Sequence, residues 1–263
     1  MMKSVSHLNG ATIQASDGDI GKVTEVYFDD ERWVIRYLVV DTGSWLAERK
    51  VLISPYSVLH PVNSDGPIRL ALNRKQVENS PDIDTHQPIS RRHEREVLGY
   101  YSYPDYWAGS DLWGVGGLPF LPLMPVAPAV PPVPAPGLRL HLPAEDMHLR
   151  SSAEVKGYDI QATDDSIGHV SDFIFDEASW ALRYLVVDTR NWWPGGRKVL
   201  ISPQWIKSIS WSDRCVSVQM TREGVKASPE FDESLVLDRD YEQRLYASYG
   251  KAGYWDSGDE EQR

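Results

Sequence analysis

The sequence predicts a mainly β protein: two small β-barrels in tandem, each with a short helical C-terminal extension, joined by a proline-rich linker. Three observations lead there. The chain repeats itself once, with Trp33–Thr42 reappearing as Trp180–Thr189 and Lys50–Pro55 as Lys198–Pro203. Each copy is built of short apolar runs punctuated by Asp, Gly and Ser, the pattern of short strands joined by turns. Between the copies lies Leu118–Gly137, in which prolines are too dense for helix or sheet. The repeat offset is 147 residues up to Thr42 and 148 beyond it. Two copies indicate domain duplication rather than a solenoid, which needs at least three units.

The elements follow in order. Ala11–Ala15 reads as a first strand, and Ser16–Asp19 supplies turn chemistry. Lys22–Phe28 is a second strand, and Asp29–Arg32 turns the chain into a third, Trp33–Asp41. Within that third strand Tyr37–Val40 is too continuously apolar for a sheet wetted on one face. Val51–Ile53, Val58–Val62 and Ile68–Leu72 complete the set, and closing it into a barrel removes exposed edges. Pairing across a four-residue loop sets Phe28 against Trp33, Val26 against Ile35 and Glu25 against Arg36. Copy two repeats this as Phe175 with Trp180, Phe173 with Leu182 and Asp172 with Arg183. The face holding Val26, Phe28, Trp33 and Ile35 is then expected to point inward. Short helices are expected at Asn73–Glu78 and Thr221–Lys226, and further helical stretches near Ser90–Glu94 and Asp238–Glu242. Each copy closes on an aromatic tail, Tyr100–Trp107 and Tyr246–Trp255.

The domain plan is residues 5–107 for the first repeat with its tail and 108–149 for the linker. Residues 150–256 form the second repeat with its tail, and 257–263 a disordered acidic terminus. Read as polyproline II, Leu118–Gly137 would span up to roughly 60 Å at about 3.1 Å per residue. The preferred reading is a semi-rigid spacer; the alternative is a ligand for a proline-binding groove. Small domains are marginal alone, so the two barrels are expected to pair within the chain.

Bulk charge narrows the function. The net charge is -11 for 263 residues, and all three segments are acidic. Nonspecific phosphate binding is disfavoured, so no nucleic-acid partner is expected. The single cysteine, Cys215, excludes an internal disulfide and a multi-cysteine metal site. No basic-apolar signal stretch opens the chain and no run of apolar residues spans a bilayer, so a cytoplasmic protein without membrane insertion is expected.

Searches for chemistry return local explanations. Gly114–Gly117 runs into Leu-Pro rather than a helix start, so it reads as flexible linker, not a phosphate loop. None of the seven histidines recurs at the equivalent position of the other copy. The acids Asp29–Glu31 and Asp176-Glu177 lack calcium-loop spacing and read as turn residues. Asp41 and Asp188 end the apolar strand, each before Thr, and a backbone hydrogen bond closing the strand explains them. Catalytic, cofactor-binding and metal-binding residues are therefore assigned to none. The 10 Trp and 13 Tyr supply interface candidates instead. These are Trp45, Trp192 and Trp193 in a loop of unequal length, and Tyr103, Tyr106, Trp107, Tyr249, Tyr254 and Trp255 in the tails. The tails are expected either to fold back over a barrel or to present a partner surface.

Four elements occur in order, twice: Asp17-x-x-Ile20-Gly21-x-Val23, Arg36–Thr42, Val51–Pro55 and a tail ending Tyr106-Trp107. The second set is Asp164-x-x-Ile167-Gly168-x-Val170, Arg183–Thr189, Val199–Pro203 and Tyr254-Trp255. In these the chain resembles the PRC-barrel family, whose barrel forms the cytoplasmic part of the photosynthetic reaction-centre H subunit. It also forms the C-terminal domain of a maturation factor for the small ribosomal subunit. The chain departs from both: it lacks the H subunit's membrane helix, and a second copy stands where the maturation factor has a different barrel. The resemblance implies a non-enzymatic scaffold that binds proteins. Two alternatives stand beside it. One is a ribosome-assembly-like or H-subunit-like accessory protein. The other is an enzyme with a ligand site at the barrel–barrel seam.

Overall fold

The computed structural model describes residues 1–46, 49–59, 66–83, 89–114, 116–119, 148–190, 192, 194–233 and 237–256. Among them the strands of the first half are β1 (Met2–Ser4), β2 (Thr12–Ala15), β3 (Gly18–Asp29), β4 (Val34–Asp41), β5 (Lys50–Ile53) and β6 (Ile68–Arg69). Helices α1 (Arg74–Glu78) and α2 (Arg91–Tyr101) follow. The second half runs β7 (Leu149–Ser151), α3 (Ser152–Val155), β8 (Asp159–Gln161), β9 (Ser166–Asp176), β10 (Leu182–Asp188), β11 (Lys198–Ile201), β12 (Ile206–Ser210), β13 (Cys215–Val218), α4 (Arg222–Ala227) and α5 (Arg239–Ser248).

These elements form two compact units that cut across the repeats. The first unit holds His7–Ser151 and Glu177–Ala181; the second holds Met1–Ser6, Ser152–Asp176 and Leu182–Arg263. In the first unit the sheet order is β5-β4-β3-β2-β6, with β7 added to β3. The second unit has the order β11-β10-β9-β8-β13-β12, with β1 added to β9. Each sheet is antiparallel except at one junction, β2 with β6 and β8 with β13. Among the described strands neither path returns to its first strand. The expected strand Val58–Val62 is a single bridge from Val58 to Leu70 before residues 60–62 pass outside the described residues.

The long strands β3 and β9 organise each unit. The N-terminal part of β3 pairs with β2 and its last residues with β7, while β4 occupies the other edge. Val26, Phe28, Ile35 and the apolar run Tyr37–Val40 are wholly buried, as continuous apolarity predicts. Trp33 is only half-buried, whereas its counterpart Trp180 is fully buried. Both tryptophans take a left-handed backbone, with φ of 56° and 59°. A bulky residue there is strained by about 1–3 kcal/mol. In the first repeat ring stacking on Phe28 at 5.3 Å and a Trp33 N–H donated to the Asp29 carbonyl at 2.8 Å offset that strain.

The hairpin register differs from the sequence expectation. Glu25 faces Val39 and Phe28 faces Ile35; Asp172 faces Val186 and Phe175 faces Leu182. Bulges in each hairpin, near Glu25 and Tyr27 in the first and near Arg183 and Val187 in the second, shift the pairing. Arg36 and Arg183 fall at the bulge nearest the hairpin tip, so neither sits opposite Glu25 or Asp172 in the ladder.

The repeated motif residues have local jobs. The Asp17 carboxylate accepts the Arg74 backbone N–H at 2.7 Å, and Asp164 accepts that of Arg222 at 2.8 Å, tying the first turn of α1 and α4. Gly21 and Gly168 sit where the facing strand end comes closest. A Cβ there would lie 2.0 Å from the Asp41 carbonyl oxygen and 2.4 Å from that of Asp188. The Asp41 side chain accepts from Gly43 N–H at 2.8 Å and Asp188 from Arg190 N–H at 3.0 Å. Thr42 and Thr189 each donate to an arginine carbonyl at 2.7 Å across the following loop. These are the strand-closing bonds that the Asp-Thr pairs predict.

Candidate functional site

The most distinctive feature of the first unit begins with a buried cation. Arg36 is fully buried, and a charge taken out of water must be paired. Its guanidinium donates to Asp29 at 2.8 and 3.3 Å and to the Leu112 carbonyl at 2.7 Å. It lies 3.8 Å from the Tyr106 ring centre and 4.7 Å from that of Trp113, within cation–π range. The other Asp29 oxygen accepts the Glu31 and Arg32 backbone N–H groups at 2.8 and 3.1 Å, fixing the hairpin tip. Arg32 in turn donates to the carbonyls of Tyr106 and Asp111 at 2.8 and 2.6 Å.

Helix α2 closes the cluster. Ser90 caps it by accepting the His93 N–H at 3.3 Å, which sets Arg91 and Glu94 on one face one turn apart. Arg91 donates to the Tyr106 hydroxyl at 2.8 Å, pairs with Glu94 at 3.3 Å and stacks 4.4 Å over Trp107. The Tyr106 hydroxyl donates to Glu94, which is fully buried. Burial pushes the Glu94 carboxyl up to about 7, outweighing the opposing pull of Arg91 and of the Tyr106 hydrogen bond. Burial likewise raises Tyr37 and Tyr106 well above the usual phenol range.

The second unit repeats the cluster position by position. Arg183 and Tyr184 replace Arg36 and Tyr37, and Arg239, Glu242, Tyr254 and Trp255 replace Arg91, Glu94, Tyr106 and Trp107. Tyr184 and Tyr254 donate to one Glu242 oxygen at 2.7 and 3.0 Å, and Arg239 pairs with the other at 3.1 Å. Arg183 lies 4.2 Å over the Tyr254 ring and Arg239 4.2 Å over Trp255. One member differs. Asp176, equivalent to Asp29, is 21% exposed and lies 3.6 Å from the chain's amino group.

The structure therefore brings most of the aromatic candidates together inside their own units. Tyr106 is buried, and Trp107, Tyr254 and Trp255 are half-buried within the clusters. Tyr103 is buried, sharing a 2.7 Å hydrogen bond with Ser57 and stacking on Tyr101. Tyr249 packs half-buried at 4.9 Å from Trp205. Trp45 and Trp192 lie apart, both half-buried on the loop after the long apolar strand. The Trp45 indole donates to the Ile20 carbonyl beneath the Arg74 guanidinium, and Arg222 donates to the Trp192 carbonyl at 3.1 Å. Trp193 lies outside the described residues.

Several members escape sequence reasoning. Residues 109–114, read there as linker, pack into the first unit through Arg32, Arg36 and Trp113. Trp113 is buried and donates its indole N–H to the Ser179 carbonyl at 2.7 Å. Arg36, Arg91 and Glu94 carried a readable signal, since each recurs at the repeat offset; Arg32, whose equivalent is Ser179, and Trp113 have no counterpart and carried none.

No helix of the described residues is long and apolar enough to cross a membrane. A family model described as the PRC-barrel domain matches residues 1–66 and 147–212, one match in each repeat. No curated protein matches the chain.

Proposed function

Because the chain belongs to the PRC-barrel domain family and carries two copies in tandem, we propose that it is a non-enzymatic scaffold that binds proteins. Each sheet curls into the family's small barrel, with α2 or α5 and the aromatic tail packed over it. The observation that carries this reading is the duplicated cluster. In both units the arginines, glutamates and tyrosines best suited to acid–base or anion chemistry are committed to one another. Groups paired this way fix the tail against the sheet and favour a structural role. Outside the clusters, Trp45 and Trp192 are half-exposed on the equivalent loops of the two repeats. Large rigid aromatics at such positions serve as interface anchors.

The test is affinity capture by the full chain from its native lysate, with W45A and W192A chains in parallel. The scaffold reading expects a defined protein retained by the parent chain and lost from at least one variant while both variants stay folded. Capture that is indifferent to both substitutions, or no captured protein at all, would overturn it.

A further inference from the structure

The units do not coincide with the repeats because each takes its last strand from the other repeat's sequence. β1 precedes the first repeat yet pairs with β9, as Met2 with Asp176, Lys3 with Phe175 and Ser4 with Ile174. β7 precedes the second repeat yet pairs with β3, as Leu149 with Asp29, Arg150 with Phe28 and Ser151 with Tyr27. Adding the repeat offset converts one register into the other, residue for residue. The recognition chemistry is duplicated too. Both strands read apolar–basic–Ser, and both serine hydroxyls donate to the acid at the equivalent hairpin position, Ser4 to Asp172 and Ser151 to Glu25. In the first unit the ladder continues with Asp30 N–H donating to the His148 carbonyl at 3.0 Å and Arg150 to the Asp30 carboxylate at 2.7 Å. The edge they fill is the one that β2 and β8 leave open where β3 and β9 outrun them.

We propose that the outer edge of each long hairpin is a strand-binding site for an extended apolar–basic–Ser tripeptide, and that its occupant is the N-terminal strand of the other repeat. Glu25 and Asp172 are the specificity residues, reading the serine hydroxyl. The main-chain ladder provides the remainder, as in strand addition generally. The two halves of the chain are thus each other's ligands through two reciprocal sites. This stands independently of any external partner. It also explains the acids that the sequence pairs with Arg36 and Arg183: both bond serines outside the hairpin, and Asp172 also pairs with Lys156 at 2.9 Å.

The test cuts the folded full chain at a protease sequence inserted between Pro131 and Pro132. Nicked protein is mixed with isotope-labelled nicked protein, and exchange of halves is read by native mass spectrometry. The halves are expected to stay together as a one-to-one particle. S151A and E25A, on opposite sides of the cut, should each speed exchange about tenfold, the size of one charge-assisted hydrogen bond. The double variant should exchange no faster than either single one. Halves that part on cutting, single variants that exchange like the parent, or effects that multiply in the double variant would each overturn the proposal.

Discussion

Asp29 and Asp176 occupy the same place in the two repeats, yet replacing each by Asn should have unequal consequences. Asp29 faces a fully buried Arg36 across two hydrogen bonds, while Asp176 is 21% exposed beside the amino group of Met1, whose side chain is 66% exposed. Asn keeps the volume and the carbonyl that caps the hairpin tip but removes the countercharge. Breaking a buried pair on one side costs about 3–5 kcal/mol, because the remaining charge stays out of water. The Leu112 carbonyl and the Tyr106 and Trp113 rings still solvate Arg36, which places D29N near the lower end, about 3 kcal/mol. An exposed pair contributes under about 1 kcal/mol, so the loss of the amino-group pair in D176N should cost clearly less than D29N. Calorimetry of the full chain reads both. D29N should lower the melting of the first unit by about 10 °C and leave the second in place. Equal effects of the two substitutions, or a D29N loss below about 1 kcal/mol, would refute the buried-cation argument.

Further outcomes follow from the same geometry. Glu94 carries a carboxyl raised by burial to about 7, above its unfolded value, so the folded state favours the protonated acid. That contribution is complete below about pH 4 and is lost as pH rises to about 7, amounting to about 3 kcal/mol. Stability of the first unit measured by urea titration across this range should fall in the parent and stay flat in E94Q. Asp172 has the opposite sign. Burial acts to raise it, but its bonds to Ser4 and Lys156 prevail and hold it below the usual carboxylate range. D172N should therefore reduce the loss of stability that the second unit shows as pH falls below about 4, read by extending the urea titration to acid. G21A and G168A should each destabilise by more than about 2 kcal/mol, since the added methyl meets a backbone carbonyl at 2.0 and 2.4 Å; denaturant midpoints decide it. W113A should cost about 3–5 kcal/mol as a buried aromatic, and the half-exposed W45A markedly less, in the same assay.

The repeat made much of this legible. Apolar runs marked the buried strands, Asp-Gly clusters marked the turns, and the Asp17, Gly21 and Asp41 motifs mapped to close contacts present in both copies. Hairpin register was not legible, because alternation alone cannot reveal a bulge that shifts every later pair by one residue. Charge complementarity then suggested the wrong partners for Glu25 and Arg36, whose true partners lie 126 and 7 residues away. The cluster was half legible. Tyr106-Trp107 and Tyr254-Trp255 stood out, but burial of their tails needs the arginines of β4, β10, α2 and α5 as platforms. The short strands β1 and β7 were missed because three residues carry too little periodicity to register.

The most direct test of how the two repeats build the molecule is hydrogen exchange on the chain with residues 1–4 deleted. Strand exchange predicts that amides around residues 172–178 lose protection while those around 25–31 keep theirs. The reverse, deprotection of 25–31 with 172–178 unchanged, would mean that each N-terminal strand completes its own repeat and would contradict the account.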